Sequence, residues 1–151
     1  MVFEHDWINY PELTNSQLEE LRFLSPHPQI TEDFTAIVVK VHDGDTISLG
    51  TSFRDFVFPL RFSDIDAPEL NAGGDVARDW LKTKLEKQEV EIKIDPKNRV
   101  EKYGRLLGRV VYRGIDVGQE EIYLGLAKPF GKKLEGELPP MEKVFSLKPW
   151  F

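Results

Sequence analysis

The spacing of short β-rich segments is the feature that most restricts how this chain can fold. Segments rich in β-branched and aromatic residues are separated by turn-forming residues, which is the pattern of strands joined by turns. Five such segments occur, at 34–41, 46–50, 54–65, 89–95 and 105–114. Because proline cannot donate a hydrogen bond to a neighbouring strand, the proline of the third segment, Pro59, predicts an edge or a bulge.

A helix is predicted between the third and fourth strands, at 74–87, and a second, short one follows the fifth strand within 115–126. The first helix carries an apolar stripe at helical spacing: Val76, Trp80, Leu81 and Leu85. The order β-β-β-α-β-β-α predicts a mainly β protein with helices (α+β). Its expected core is the five-stranded, partly open barrel called the OB-fold, which often binds oligonucleotides.

The N-terminal part of the chain differs in charge from the rest. Residues 1–35 hold seven acids and one base, whereas residues 36–151 hold 19 of each, so the net charge of -6 belongs to the N-terminal part. Thr14 or Ser16, with Gln or Glu three residues later, forms a capping-box pattern. We therefore expect an acidic extension at 1–33 with one short helix.

The remaining boundaries follow from the β-rich region. An OB-fold domain is expected at 34–131, followed by a C-terminal segment, 132–151, whose aromatic rings pack on the barrel. The absence of cysteine excludes disulfides and thiolate metal sites. No apolar run reaches the roughly 18 residues of a membrane helix, and the first residues do not resemble a signal peptide. We expect a cytoplasmic protein without a membrane partner.

The turn between the first two strands carries an unusual amount of charge, "HDGD". Aspartate and glycine are common turn formers, so turn chemistry alone explains Asp43 and Asp45, with Gly44 free to adopt a positive φ. A calcium-binding EF-hand loop starting at Asp43 is excluded, because Ser48 and Arg54 stand where that loop needs glycine and glutamate. His42, beside the turn, is expected to be a partly exposed strand residue.

A second acidic turn, "DIDAPEL", follows the third strand and contains Asp66 and Glu69. If the first three strands form an antiparallel meander, this turn lies near Asp43 and Asp45. Carboxylates that are brought together repel one another, so such a cluster either has raised pKa values or holds a cation. Oxygen ligands without histidine or cysteine favour a hard ion, which is calcium or magnesium.

Two arginines flank these acids in the predicted fold. Arg61 ends the third strand just before the second acidic turn, and Arg105 follows the long polar loop after the fourth strand. A guanidinium group binds two phosphate oxygens at once. Arginines beside a divalent ion can stabilise the charge that develops on a phosphodiester under attack. Each arginine alone would be interpreted as a solvated residue.

In combination, these motifs resemble those of the staphylococcal nuclease (thermonuclease) family. The motifs "DGDT", "LRFSDIDAPE" and "EKYGRLLGRV" occur in the family's order on the family's β pattern. The resemblance covers about residues 35–130 and includes "GLAK" at 125–128. It implies a nuclease that requires one calcium ion, cleaves DNA, RNA or both by attack of metal-activated water, and leaves 3′-phosphate ends.

The resemblance also implies roles for individual residues. Asp45, Asp66 and the backbone carbonyl of Ala67 would bind calcium, and Glu69 would act as general base or orient the attacking water. Asp43 is then either a supporting residue near the metal or a turn residue. The remaining implied contacts are with the substrate. Those at the cleaved phosphate are Arg61 and Arg105, and those at a neighbouring phosphate are Lys102 and Tyr103.

Departures from the family leave alternatives open. The loop after Glu69 is short compared with that of the best-known member. Phe130 and Gly131 stand where that member has a tyrosine that contacts substrate, so base stacking would need Tyr103, Phe130 or another ring.

The alternatives to an enzyme are an inactive nucleic-acid- or protein-binding module and a structural virion or interaction protein. The acidic extension could cover the site, bind a partner, or pack in cis. The residues expected to make that packing are Trp7, Leu21 and Leu24.

Overall fold

The computed structural model describes residues 6–8, 10–101 and 104–130, apart from the side chains of Glu20 and Arg22. The helices are α1 Asn15–Leu21, α2 Gly74–Leu85 and α3 Val117–Tyr123. The strands are β1 Phe34–Asp43, β2 Thr46–Thr51, β3 Arg54–Phe62, β4 Ile65–Asp66, β5 Glu89–Lys93, β6 Leu106–Tyr112, β7 Ile115–Asp116 and β8 Lys128–Pro129. Single 3₁₀ turns occur at Arg22–Leu24 and Leu70–Ala72.

The five long strands form a closed barrel. They follow the order β3-β2-β1-β5-β6 with antiparallel neighbours, and a parallel pairing between β3 and β6 closes the ring. Inward residues of each strand form one apolar core, which includes Val38, Ile47, Phe58, Ile92 and Val110. The predicted α+β OB-fold barrel with an N-terminal helical extension is confirmed.

An irregularity in β1 lets this long strand face the core along its whole length. Its pairing with β2 shifts register between Val38 and Lys40. Side chains alternate between the two faces of a strand, so one extra residue changes the phase of that alternation. As a result Ala36, Val38 and Val41 are all buried, although two residues separate the last pair. A second register shift, between Val41 and Asp43, lies directly before the acidic turn.

Pro59 occupies a position that tolerates a missing amide hydrogen. It is aligned with Ser48 of β2, and the pairing of β3 with β6 begins one residue later, at Leu60. On the β6 side, Pro59 therefore lies at a local edge even though β3 is enclosed in the barrel. The expectation of an edge position is met in this restricted sense.

Helix α2 packs small residues against the barrel. Its buried residues are Gly74, Ala77, Leu81 and Leu85, whereas Val76 is 59% exposed. The prediction that Val76 belongs to the buried stripe is wrong, because the helix is rotated so that Ala77 faces the acidic turn. Trp80 is partly buried and packs on the core.

The extension begins with the capping box expected from the sequence. Oγ1 of Thr14 accepts a hydrogen bond from the amide of Gln17 at 3.3 Å, and Oε1 of Gln17 accepts one from the amide of Thr14 at 2.9 Å. Among the apolar residues of the extension, Leu13 and Leu18 are buried, whereas Leu24 is exposed. The segment thus packs on the barrel, but not through the expected Leu24.

Two further features complete the fold. No helix in the described part of the chain is both long and apolar enough to cross a membrane.

The short strands β4 and β8, which the sequence did not predict, pair with each other so that Ile65 lies opposite Pro129 and Asp66 opposite Lys128. This pairing joins the second acidic turn to the segment after α3. The predicted C-terminal segment, 132–151, lies outside the described residues.

Candidate active site

The acidic turn between β1 and β2 holds Asp45 in a fixed position. The turn is closed by a hydrogen bond from the amide of Asp45 to Oδ1 of Asp43 at 3.1 Å. Gly44 does not use the positive φ that is open to glycine. It is required for a different reason: a Cβ atom there would lie 2.8 Å from the Cβ atoms of both Ala67 and Ala77. Glycine thus lets the turn approach the second acidic turn and α2 closely.

The carboxylate of Asp45 is almost fully buried and is held from two sides. The amide of Ala67 donates to its Oδ2 at 2.9 Å, and the hydroxyl of Thr46 donates to its Oδ1 at 3.1 Å. Burial raises the pKa of Asp45, and Asp43 raises it further, while the Ala67 amide and the charge of Arg61 oppose this shift. Asp45 is therefore a carboxylate whose negative charge a nearby cation would stabilise.

Arg61 lies between the two acidic turns. Its Nη2 is 3.4 Å from Oδ2 of Asp45 and 3.4 Å from Oδ1 of Asp66. Its Nη1 donates to the carbonyl oxygens of Phe62 at 2.8 Å and Ile65 at 3.3 Å. Four contacts thus fix one guanidinium group at the end of β3. Two carboxylates from different turns converge on this single positive group.

An aromatic ring covers the guanidinium of Arg61. The Cζ atom of Arg61 lies 4.7 Å from the ring centre of Phe130, a distance typical of a cation–π contact. Phe130 is brought there by the pairing of β8 with β4, and half of its surface is exposed. Of the rings considered for base stacking, Phe130 is thus beside the candidate site.

Glu69 begins the 3₁₀ turn that follows Asp66 and Ala67. Its carbonyl oxygen accepts hydrogen bonds from the amides of Ala72 and Gly74, both at 2.9 Å. Its side chain is exposed and makes no cap hydrogen bond to the turn. The backbone of Glu69 is therefore fixed, while its carboxylate is accessible to solvent.

Arg105 lies immediately before β6 and forms an ion pair with Glu101. In the parallel pairing of β3 with β6, Arg61 is aligned with Leu107. Arg105 precedes Leu107 by two residues and lies just outside β6, so this pairing brings the start of β6 beside the end of β3. The structure thus joins Asp45, Arg61, Asp66 and Ala67 directly, and pairs Arg105 with Glu101. Lys102 and Tyr103 lie outside the described residues.

Two acids near the first turn were not singled out from the sequence. Glu121 of α3 is fully buried, its Oε1 faces Gly44, and neither of its carboxyl oxygens has a hydrogen-bond partner among the described residues. Burial, with smaller contributions from Asp45 and other acids, raises the pKa of Glu121 to about 9. Val117 four residues earlier is buried, so helical spacing could have indicated the inward position of Glu121.

Asp64 is the other acid that sequence reasoning missed. Its Oδ2 accepts a hydrogen bond from Nε2 of Gln119 at 2.9 Å, which ties the end of β3 to α3. Burial raises the pKa of Asp64, and the charge of Asp116 contributes, while the Gln119 hydrogen bond opposes the shift. The acidic character of this end of the barrel therefore extends beyond the two predicted turns.

The candidate donors around Arg61 are oxygen atoms, the kind of ligand that a hard cation prefers. In the described residues, no three His, Cys, Asp or Glu side chains are grouped to hold a metal ion. The set implied by the resemblance is smaller: it uses only two side chains, Asp45 and Asp66, with a backbone carbonyl. Those two carboxylates already face one positive group, and all the donors are oxygen atoms.

Comparison with known proteins agrees with this architecture. A sequence model of staphylococcal nuclease homologues matches residues 59–143, which is more than half of the chain. A search of curated proteins gave no match. The matched range includes Arg61, Asp66 and Arg105, while Asp45 precedes it. On the strength of this match and of the closed five-stranded barrel, the chain belongs to the family of staphylococcal nuclease homologues.

Proposed function

We propose that this protein is a calcium-dependent nuclease that hydrolyses phosphodiester bonds of DNA, RNA or both. The observation that carries the proposal is the convergence of Asp45 and Asp66 on the guanidinium of Arg61. Two carboxylates brought together with a fixed arginine at the end of β3 match what phosphoryl chemistry requires.

Arg61 would bind the phosphate that is cleaved. Its Nη1 is committed to the carbonyl oxygens of Phe62 and Ile65, so the group needs little reorganisation when substrate arrives. A fixed positive charge stabilises a transition state more than its ground state when it is aimed at the position where charge develops. Arg61 would therefore lower the energy of the doubly charged, phosphorane-like transition state that forms during attack.

Asp45, Asp66 and the carbonyl of Ala67 would hold calcium. When bound, the ion would supply positive charge beside the phosphate and neutralise the two carboxylates. The raised pKa of Asp45 supports this assignment, because it reflects a negative charge that is poorly solvated where it stands. The hydrogen bond from Ala67 holds Oδ2 of Asp45, the same oxygen atom that faces Arg61.

Glu69 would take a proton from the attacking water or orient that water. Its exposed carboxylate on a fixed backbone is suited to either task. The oxygen of water forms the new bond to phosphorus, the bond from phosphorus to the 5′ oxygen breaks, and that oxygen takes a proton from solvent. The products would carry 3′-phosphate and 5′-hydroxyl ends.

Arg105 would contact the same phosphate after exchanging its present partner. Its guanidinium is paired with Glu101 four residues earlier, a local contact of partly exposed groups. Such pairs contribute little to stability, so a phosphate can replace the glutamate at small cost. The alignment of Arg61 with Leu107, two residues after Arg105, supports a common target for both arginines.

The alternative is an inactive binding module on the same barrel. It is favoured by one observation: Arg61 is neutralised by two acids and Arg105 by a third, so both cations have partners within the chain. A module of this kind would bind nucleic acid or protein without cleaving it. Such a module would not need the solvent-accessible carboxylate of Glu69.

The two functions are separated by cleavage assays with single-stranded DNA and RNA oligonucleotides. Wild type, Glu69→Gln and Arg105→Ala are compared in calcium, magnesium and chelator, with Glu89→Gln as a control at an exposed acid of β5. We expect cleavage by wild type, and losses of about 10²–10³-fold for the two site variants. Binding without cleavage under every condition would favour the inactive module and exclude the nuclease.

A further inference from the structure

The acidic extension contacts the loop that carries Arg105. We call the described residues 99–101 and 104–107 the Arg105 hairpin. It is closed by hydrogen bonds from the amide of Leu107 to the carbonyl of Arg99 at 2.7 Å and from the amide of Glu101 to the carbonyl of Arg105 at 2.9 Å. The hairpin leads directly into β6, so its position sets where Arg105 stands relative to β3.

The extension holds this hairpin and the residues before it at three points. The side-chain amide of Asn15 donates to the carbonyl of Pro96 at 2.7 Å. Nη1 of Arg99 donates to the carbonyl of Leu13 at 3.1 Å and to Oδ1 of Asn15 at 3.0 Å. The amide of Glu12 donates to the carbonyl of Gly104 at 3.3 Å, next to Arg105. The contacts thus reach the start of the hairpin, at Arg99, and its turn, at Gly104.

Glu12 is the centre of this attachment. Its side chain is fully buried between two arginines, with Nη2 of Arg54 at 2.5 Å and Nη2 of Arg99 at 3.5 Å, and both guanidinium groups are almost fully buried. Its Oε2 also accepts a hydrogen bond from the amide of Ile30 at 3.0 Å. A buried charge is tolerated only when it is paired and hydrogen-bonded. Removing the charge of Glu12 would leave two buried cations facing each other.

Gly104 shows how closely the extension and the hairpin fit together. Its φ is +102°, which favours glycine, and a Cβ atom added there would lie 2.8 Å from the carbonyl oxygen of Glu12 and 2.9 Å from Cβ of Tyr10. Neither segment can move toward the other. The backbone of the extension therefore forms one wall against which the residue before Arg105 is placed.

We propose that Glu12 is a positioning residue for Arg105, and that residues 10–15 of the extension are a structural part of the substrate-binding hairpin. This proposal rests on the phosphate-binding role given to Arg105 above. The proposed role differs from inhibition of the site by the extension, because Arg54 and Arg99 neutralise the charge of Glu12. The extension would affect the binding of nucleic acid only indirectly, by setting the position of Arg105.

A double-mutant cycle with cleavage kinetics tests the proposal. Glu12→Gln is made in wild type and in Arg105→Ala, with Glu19→Gln as control, because Glu19 is an exposed acid of the same extension. We expect Glu12→Gln to lower kcat/KM by roughly 10- to 100-fold in wild type, because a misplacement of about 1 Å can cost a catalytic group about 100-fold in rate. In Arg105→Ala it should cause no further loss, and Glu19→Gln should be neutral. Equal losses in both backgrounds would overturn the proposal.

A second measurement does not depend on cleavage. Hydrogen exchange is compared between wild type and Glu12→Gln at the amides of Gly104 and Leu107, with Leu49 of β2 as the internal reference. We expect faster exchange in the hairpin and unchanged exchange at Leu49; unchanged hairpin exchange contradicts the proposal. If wild type cleaves nothing but the hairpin exchanges faster in the variant, the nuclease function fails and the attachment stands.

If Glu12→Gln does not fold, a milder variant replaces it. Asn15→Ala removes the hydrogen bonds to Pro96 and Arg99 but leaves the buried charges paired. We expect a smaller drop in kcat/KM, again absent in Arg105→Ala. A drop of equal size in both backgrounds would show that the extension acts through general stability, and would overturn a positioning role.

Discussion

The backbone amide of Ala67 donates a hydrogen bond to Oδ2 of Asp45 at 2.9 Å. This bond joins two turns that are 22 residues apart in the chain. The turn after β1 therefore cannot move independently of the turn that carries Asp66. Because the position of each carboxylate depends on the other turn, the pair can act as one preformed binding site.

Asp45→Asn separates the charge of this residue from its structural contact. The amide oxygen of asparagine can still accept the hydrogen bond from Ala67, but the charge opposite Arg61 is lost. We expect the melting temperature to be retained and the cleavage rate to fall by at least about 10²-fold. Asp75→Asn, at an exposed acid of α2, is the control. Wild-type cleavage by Asp45→Asn would argue against a metal-binding role.

Phe130→Ala tests the ring that covers Arg61. The contact orients the guanidinium, and the exposed part of the ring offers a surface for a base. We expect KM for single-stranded DNA to rise roughly two- to fivefold, as for an exposed cation–π contact, with a smaller change in kcat. Phe23→Ala, at an exposed ring in the extension, is the control. An unchanged KM would exclude Phe130 from substrate binding.

Gly44→Ala tests the close approach of the first turn to its neighbours. The added methyl group would lie 2.8 Å from Cβ of Ala67 and of Ala77, so the turn must move. We expect a loss of about 1–3 kcal/mol in the free energy of unfolding. In Gly50→Ala the new Cβ meets only Val39, at 3.3 Å, and the loss should be smaller. Equal unfolding energies in urea for Gly44→Ala and wild type would contradict this packing.

The buried carboxyl group of Glu121 is expected to lower the free energy of unfolding as pH rises. Its pKa is raised to about 9 in the fold from 4.5. Between these values the unfolded chain loses the proton that the folded chain keeps, so the free energy of unfolding falls as pH rises. Glu121→Gln cannot ionise. We therefore expect its stability relative to wild type to increase from pH 5 to 9, as measured by urea unfolding in chelator.

The control for this pH series is Glu89→Gln, which changes an exposed acid of β5. Its stability should follow that of wild type at every pH. Parallel curves for wild type and Glu121→Gln would show that Glu121 ionises normally in the fold, and the packing of its carboxyl group beneath Gly44 would then be wrong.

The barrel was predictable because its strands follow local rules. Alternation and turn residues indicated the five long strands, and the capping box of Thr14 and Gln17 indicated α1. Strands β4 and β8 were missed because two residues carry no periodic signal. Val76 was misplaced because the orientation of α2 is set by the close packing of Ala77, which hydrophobicity alone does not reveal.

The candidate site was predictable in its members but not in its contacts. The motifs supplied Asp45, Arg61 and Asp66, whereas the ring of Phe130 reaches Arg61 only through the pairing of β4 with β8. Glu12 resembled a solvated charge within an acidic segment. Its burial depends on arginines that are 42 and 87 residues away in the chain, so no local sequence pattern predicts this burial.

The central claim is that Asp45 and Asp66 hold calcium for phosphodiester cleavage. The most direct measurement is the initial rate of cleavage of a labelled single-stranded DNA oligonucleotide by the wild-type chain, in chelator and then after calcium is restored, with the new ends identified. We expect no cleavage in chelator, recovery with calcium, and 3′-phosphate ends. Cleavage that persists in chelator, or no cleavage at any calcium concentration, would contradict the claim.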